Sequence, residues 1–136
     1  MSDIIQIVIV DDHPLFRNSV AHALAAHADL EIVGQGAAAA EAIRLAQALL
    51  PDLILLDINL PGMHGLALAE KLQSQRGTWS IPVVILSVRT DPRDKVAAFA
   101  SGAVTYLEKP FKKKDLVDAV RSALELATRR KRRGFK

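Results

Sequence analysis

The sequence contains no cysteine, only one tryptophan and one tyrosine, and no long hydrophobic run. The first absence excludes a disulfide framework and any thiolate metal site, and it suits a reducing compartment. The N-terminal Met1-Ser2-Asp3 has no basic stretch, and the apolar residues that follow it, Ile4–Val10, are too few for a signal-peptide core or a bilayer span. A soluble, cytoplasmic protein without membrane contact is therefore expected. Seven glycines and six prolines in 136 residues exclude a low-complexity or linker-like chain. With half of its residues apolar and 24% charged, the chain can bury one core and reads as one compact domain. The net charge of +3 is local. Residues 129–136 hold six basic residues and no acid, and removing them leaves 12 basic against 15 acidic residues, a net of −3. The expected division is a folded body over residues 1–128 and a basic tail or start of a linker over 129–136.

Five short apolar runs are present: Ile4–Val10, Leu30–Gly34, Leu53–Leu56, Val83–Leu86 and Val104–Leu107. Three of them are rich in β-branched residues and read as continuous rather than alternating, the pattern of strands covered on both faces. Stretches with helical spacing follow each of them: Leu15–Ala26, Ala38–Leu50, Leu66–Gln75, Pro92–Ala100 and Lys112–Ala127. In the last, Leu116, Val120, Ala123, Leu124 and Ala127 share one helical face. Pro14 and Pro92 stand at helix starts, where a missing N–H costs little, and Asp91 is placed to cap the fourth helix. The Ala37–Ala40 run reads as helix-favouring filler. Strands alternating with helices predict an α/β fold with a parallel sheet and right-handed crossovers.

In such a sheet, ligands bind beyond the carboxyl ends of the strands. The first run ends in Asp11-Asp12, the third in Asp57 and the fourth in Ser87, and the fifth is followed by Glu108-Lys109-Pro110. The second ends in Gln35-Gly36, which suits a peripheral strand. Three carboxylates, a hydroxyl and an ammonium thus converge on one edge. Clustered carboxylates repel one another and call for a cation. An all-oxygen set selects a hard ion, and Mg²⁺ is the natural choice. Mg²⁺, Lys109 and Ser87 around a carboxylate suit phosphoryl transfer, in which the carboxylate attacks phosphorus while cations take up charge on the peripheral oxygens. Each residue alone has an ordinary explanation as a turn former, a helix cap or a surface charge. Their joint occurrence at four of five strand ends does not. The four histidines, His13, His22, His27 and His64, lack metal-ligand spacing and are expected to be structural or surface residues.

These residues resemble the response-regulator receiver domains of two-component signalling over about residues 4–127. The resemblance rests on Val8-Ile9-Val10-Asp11-Asp12, Asp52-Leu53-Ile54-Leu55-Leu56-Asp57 and Leu60-Pro61-Gly62-Met63-His64-Gly65. It continues in Pro82–Ser87, Ser101-Gly102-Ala103 and Tyr106-Leu107-Glu108-Lys109-Pro110-Phe111. It implies a flavodoxin-like (βα)5 fold with strand order 2-1-3-4-5. It further implies that Asp57 accepts the phosphoryl group and that Asp12, Asp57 and the Asn59 backbone carbonyl bind Mg²⁺, with Asp11 acting mainly through water. Ser87 and Lys109 would contact the phosphoryl oxygens, Ser87 and Tyr106 would form the switch, and the peptide before Pro110 would be cis. Val88 and Arg89 follow Ser87 where the family commonly begins with a smaller residue, and an altered phosphate lifetime is expected.

The stretch Asp11–Arg17 is similar to the NarL/FixJ-type subfamily, whose members usually carry a C-terminal DNA-binding domain. The partners implied are a histidine kinase or phosphotransfer protein and, after phosphorylation, a second copy of the chain. DNA would be reached only through an output domain absent from this sequence. Three rival readings fit the residues less well. A phosphohydrolase of the haloacid-dehalogenase type needs a second Asp where Asn59 stands. A flavodoxin-like cofactor binder needs a Gly-rich phosphate loop after the first strand. A nucleic-acid binder would act through the basic tail and lose salt-sensitive binding with it.

Overall fold

The computed structural model describes residues 3–88, 92–100, 102–103 and 105–132. The elements follow the alternation read from the sequence: β1 (Ile5–Val10), α1 (Pro14–Ala25), β2 (Leu30–Gly36), α2 (Ala39–Leu49) and β3 (Leu53–Asp57). A small ribbon of β4 (Asn59–Leu60) and β5 (Met63–His64) comes next, then α3 (Gly65–Ser74), β6 (Val83–Ser87), α4 (Pro92–Ala100), β7 (Thr105–Glu108) and α5 (Lys113–Arg132). The main sheet is parallel with order β2-β1-β3-β6-β7. Setting aside the two-residue ribbon, which the apolar pattern did not reveal, this is the expected order 2-1-3-4-5.

Continuous apolar strands imply helices on both sides, and the packing shows why the strand interiors are apolar. Along β1, Val8 and Val10 face one core, while Ile7 and Ile9 face the other. The first core is closed by Ala42 and Ala46 of α2, Leu68 and Leu72 of α3 and Ala98 of α4. The second is closed by Val20 and Leu24 of α1 and by Leu116, Val120 and Ala123 of α5. All five residues of β3 and of β6 are buried. Each such aliphatic side chain contributes roughly 1.5–3 kcal/mol by leaving water. Of the alanine run only Ala39 is buried, and with Ala42 and Ala46 further along it lets α2 lie close on the sheet.

Apart from the C-terminal end of α5, helix ends differ from the expected bounds by a residue or so, for local reasons. α1 begins at Pro14, whose fixed φ and absent N–H suit a first helical position. α2 stops before Leu50, which adopts a left-handed φ of 45° ahead of Pro51. α5 runs past Ala127 to Arg132, so the expected change at residue 128 is not a break in secondary structure. Its exposed side is laced by Lys114–Asp118 and Arg129–Glu125 pairs at helical spacing, and Arg121 reaches Asp29 at 2.9 Å. Asp91, Arg89 and Val104 lie outside the described residues. No helix among the described residues is long and apolar enough to cross a membrane.

Candidate functional site

Parallel strands bring their carboxyl ends to one edge, and the polar residues singled out in the sequence collect there. Asp11 follows β1 and is fully buried. Its position is fixed by a backbone bond from its N–H to the Gly36 carbonyl, 3.0 Å, at the end of β2. Asp57 closes β3 at 5% exposure, and Ser87 closes β6 with none. Asp12 is more open, its side chain 37% exposed. Single carboxylate oxygens of Asp11, Asp12 and Asp57, together with a ring nitrogen of His13, all lie within 4.8 Å of one another.

Lys109 is positioned by the crossover from β7. Its N–H donates to the Ser87 carbonyl at 2.7 Å, and the Lys109–Pro110 peptide is cis. The ammonium lies 2.7 Å from Asp11 Oδ2 and 3.6 Å from Asp57 Oδ1, with only 13% of the side chain exposed. It also sits 4.0 Å above the ring centroid of Phe16. That ring meets Phe111 edge-on, with centroids 5.8 Å apart. The half-buried lysine thus has an aromatic face on one side and two carboxylates on another, an arrangement that offsets its desolvation.

Burial pushes the Asp57 carboxyl above its ordinary value, and the negative charges of Asp11 and Asp12 push the same way. Lys109 and the Asn59 backbone N–H oppose them. Asn59 itself begins the β4–β5 ribbon, which turns through Gly62 at a φ of 91°. Gly65 then starts α3 directly against the end of β3. A Cβ there would stand 2.5 Å from the Asp57 carbonyl oxygen and 2.7 Å from Ile58 Cα. Only glycine lets α3 approach the end of β3 so closely. His64 caps this helix by accepting from the Leu66 N–H at 3.2 Å.

The structure brings Asp11, Asp12, Asp57 and Lys109 into one cluster, with Ser87 ending the neighbouring strand in register with Glu108. Tyr106 lies on β7 beside Ile85, half-buried against the core on the α2–α4 side of the sheet. Val88 is 65% exposed. Three further residues border the cluster: Phe16 and Arg17, and His13, which the sequence led one to expect as a structural or surface residue. His13 Nδ1 stands 3.0 Å from Asp11 Oδ1 and 2.9 Å from Asp12 Oδ1, and Arg17 donates to the Asp11 carbonyl at 2.6 Å. The available signal was their place in the first turn of the helix after the acidic pair, which points that turn at the acids.

The donor set fits a hard divalent cation: three carboxylates gathered around one point, with one lysine to offset them. Comparison with known proteins agrees with this geometry. The sequence pattern described as "Response regulator receiver domain" matches residues 7–121. The nitrate/nitrite response regulator protein NarL of Escherichia coli K12 is 38% identical over 117 residues, covering 86% of this chain and 53% of that protein. The DNA-binding response regulator MtrA of Mycolicibacterium smegmatis is 39% identical over 120 residues, covering 88% of this chain and 50% of its own length. The chain therefore spans about half the length of these curated relatives. Among solved structures, the signal receiver domain of Mycobacterium tuberculosis NarL superposes with a TM-score of 0.83 at 32% identity, covering 90% of this chain and 98% of that one. The chemotaxis response regulator CheY4 of Vibrio cholerae gives 0.80 at 28% identity, over 88% and 98% of the two chains. With a parallel sheet in the family's strand order, an acid cluster at its carboxyl edge and these matches over most of its length, the chain belongs to the response regulator receiver domain family of two-component signalling.

Proposed function

We propose that the chain is a phosphorylation-dependent switch in which Asp57 accepts a phosphoryl group from the phosphohistidine of a histidine kinase or phosphotransfer protein. The observation that carries this reading is a buried Asp57 carboxylate with the Lys109 ammonium 3.6 Å away and two further acids beside it. Asp12, Asp57 and the Asn59 backbone carbonyl would hold Mg²⁺, with Asp11 acting through water. When bound, the ion supplies positive charge to the peripheral oxygens of the transferring group.

This chain's own residues do the rest. A carboxylate oxygen of Asp57 attacks phosphorus in line, the P–N bond breaks, and imidazole leaves with the electron pair. Lys109 pairs with one phosphoryl oxygen and Ser87 donates to another. Movement of Ser87 toward the new anion draws on the strand ends that carry Tyr106, and the α4-β7-α5 face shifts between two packings. That face then changes its affinity for a target, a second copy, or an attached DNA-binding domain of the kind that MtrA's name records. Slow attack of water on the acyl phosphate releases inorganic phosphate and resets the switch, so the chain is a phosphoacceptor rather than a conventional enzyme. The cytoplasm, where kinases and nucleotide are present, is the proposed location.

The test is incubation with acetyl phosphate, with Mg²⁺ or with chelator, followed by intact mass and oligomeric state. One phosphoryl group is expected on the parent in Mg²⁺ and none on Asp57→Asn. Equal uptake in chelator, or uptake elsewhere in the chain, would overturn the reading.

A further inference from the structure

The stripe by which α1 docks, Phe16, Val20, Ala23 and Leu24, reads as core along its whole length, yet its first member does not meet aliphatic neighbours alone. One face of the Phe16 ring carries the Lys109 ammonium, with Nζ 4.0 Å from the ring centroid. We propose that Phe16 is a positioning residue for phosphoryl transfer: its ring holds the Lys109 ammonium between Asp11 and Asp57, ready for the oxygens of the incoming group. This rests on the proposed function, since the reaction it assists is uptake of a phosphoryl group on Asp57.

The first support is an imbalance between the two acids. Lys109 Nζ stands 2.7 Å from Asp11 Oδ2 and 3.6 Å from Asp57 Oδ1. Asp11 is fully buried and is the nearer anion. By themselves the carboxylates therefore draw the ammonium toward Asp11 and away from the acid that would carry the phosphoryl group. An attraction from another side keeps it within reach of both. The ring supplies one, well inside the roughly 6 Å over which an aromatic face attracts a cation. With 13% of the lysine side chain exposed, water screens that attraction little.

The second support is charge. A third carboxylate in place of the ring would hold the ammonium more tightly, but it would also neutralise it and compete with phosphoryl oxygens. A phenyl ring has a negative face and no net charge. Lys109 keeps its positive charge, and of its three N–H donors only the one given to Asp11 Oδ2 is committed to a hydrogen bond in that pair.

The third support is anchoring. The Phe111 ring meets that of Phe16 with centroids 5.8 Å apart and planes at 76°. Phe111 lies two residues beyond Lys109, so the loop that presents the ammonium also grips the ring beneath it. A cation held this way already stands near its final place when the substrate arrives, and little reorganisation accompanies the transfer. With acetyl phosphate as donor, a carboxylate oxygen of Asp57 forms the new P–O bond. The bond from phosphorus to the acetyl oxygen breaks, and acetate leaves with the electron pair. Phe16 shares in none of these bonds and acts through Lys109.

The experiment replaces Phe16 in the full chain with mono-, di- and trifluorinated phenylalanine, which drain electron density from the ring face at nearly constant shape. Phe16→Leu and Phe16→Tyr are prepared beside them. Uptake from acetyl phosphate at saturating Mg²⁺ is followed by intact mass, and a urea midpoint is recorded for each protein. Proton NMR reads the Lys109 ε-methylene shift, assigned by its loss in Lys109→Met. The rate is expected to fall stepwise with each added fluorine while the urea midpoint stays parental. Phe16→Leu should be about fivefold slower, and Phe16→Tyr should recover most of that loss. Ring current should place the parental ε-methylene protons upfield of the ordinary lysine range, and Phe16→Leu should return them to it. A rate indifferent to fluorine would overturn the proposal even with Phe16→Leu slow, because packing alone would then account for the leucine effect. An ordinary ε-methylene shift in the parent would overturn it too. Either result leaves the Asp57 reading standing, whereas a parent that takes up no phosphoryl group in Mg²⁺ overturns both.

Discussion

The central strand β3 has an aspartate at each end, and the two have little in common beyond their chemistry. Asp52 precedes the strand, is exposed, and accepts the Gln6 N–H on Oδ2 at 2.8 Å. Asp57 closes the strand, is buried, and faces a lysine and two more acids. One ties a strand end with a hydrogen bond in water. The other carries a charge that burial disfavours, in a cluster with a lysine and two further acids. Parallel topology makes the difference, because it sends every strand's carboxyl end, and the loop that follows, to the same edge. Burial and a neighbouring cation, not residue type, separate a cap from the proposed nucleophile.

The largest expected effect separates the two acids outright. Asp57→Asn abolishes phosphoryl uptake from acetyl phosphate, while Asp52→Asn takes it up at the parental rate. Asp52→Asn weakens one exposed hydrogen bond, which costs on the order of 1 kcal/mol or less. Intact mass against time and a urea melt of each variant check both statements. Loss of uptake in Asp52→Asn would break the comparison, since it would make the opposite edge part of the chemistry.

Removing the cation comes next in size. Lys109→Met leaves the fully buried Asp11 without its 2.7 Å ammonium partner and leaves Asp57 facing two uncompensated acids. Breaking a buried pair on one side commonly costs 3–5 kcal/mol, and the partly open site here should place the loss at about 3 kcal/mol in chelator. Added Mg²⁺ should recover a sizeable part of it by binding the folded form alone. Urea denaturation with and without Mg²⁺ measures both numbers. A variant as stable as the parent in chelator would show that Lys109 does not compensate these acids.

The raised pKa of Asp57 gives a pH signature with a definite sign. Burial, helped by Asp11 and Asp12, makes the folded state hold this proton to higher pH than the unfolded chain does. Stability from Asp57 is therefore complete below the ordinary carboxylate pKa and is lost as pH rises from there through the folded value. Asp57→Asn removes the titration. In chelator the variant should match the parent in acid and become the more stable of the two as pH rises through that window. Thermal melts across the series test it, and a difference independent of pH would contradict the assignment of the burden to this carboxylate.

The edge that matters could be read from the sequence because strand ends are local: a run of aliphatic residues stops, and Asp11-Asp12, Asp57, Ser87 or Glu108-Lys109 follows. The sheet order required the family resemblance, since five apolar runs do not say which lie side by side. The β4–β5 ribbon escaped notice because two-residue strands leave no apolar period. The contacts that His13 and Phe16 make with the cluster were not legible for a different reason. They depend on which way the first turn of α1 faces, and that is decided by the docking of α1 against α5 and the Lys109 loop. Residue types in that turn give no direct sign of it. A histidine 71% exposed and an aromatic residue in a helix have ordinary surface and core explanations until the acids and the lysine are placed beside them.

The smallest effects compare one glycine near each edge. At Gly65 an added methyl group meets main-chain atoms, the Asp57 carbonyl oxygen at 2.5 Å and Ile58 Cα at 2.7 Å, so α3 or the β3 end must move. Overpacking against backbone costs about 1–3 kcal/mol, and the displaced chain is the one that presents Asp57 and Asn59. Gly65→Ala should therefore lose both stability and Mg²⁺ affinity. Gly77 stands near Ile81 and Pro82, toward the opposite edge, with no atom within 4 Å of the place a Cβ would take and no positive φ to strain. Gly77→Ala reduces the freedom of the unfolded chain and should raise stability by about 0.4–1 kcal/mol, with Mg²⁺ affinity unchanged. Urea midpoints and Mg²⁺ titrations of the two variants decide the matter. If Gly77→Ala weakened Mg²⁺ binding as much as Gly65→Ala does, the site would depend on the packing of the whole sheet rather than on the loop that closes β3.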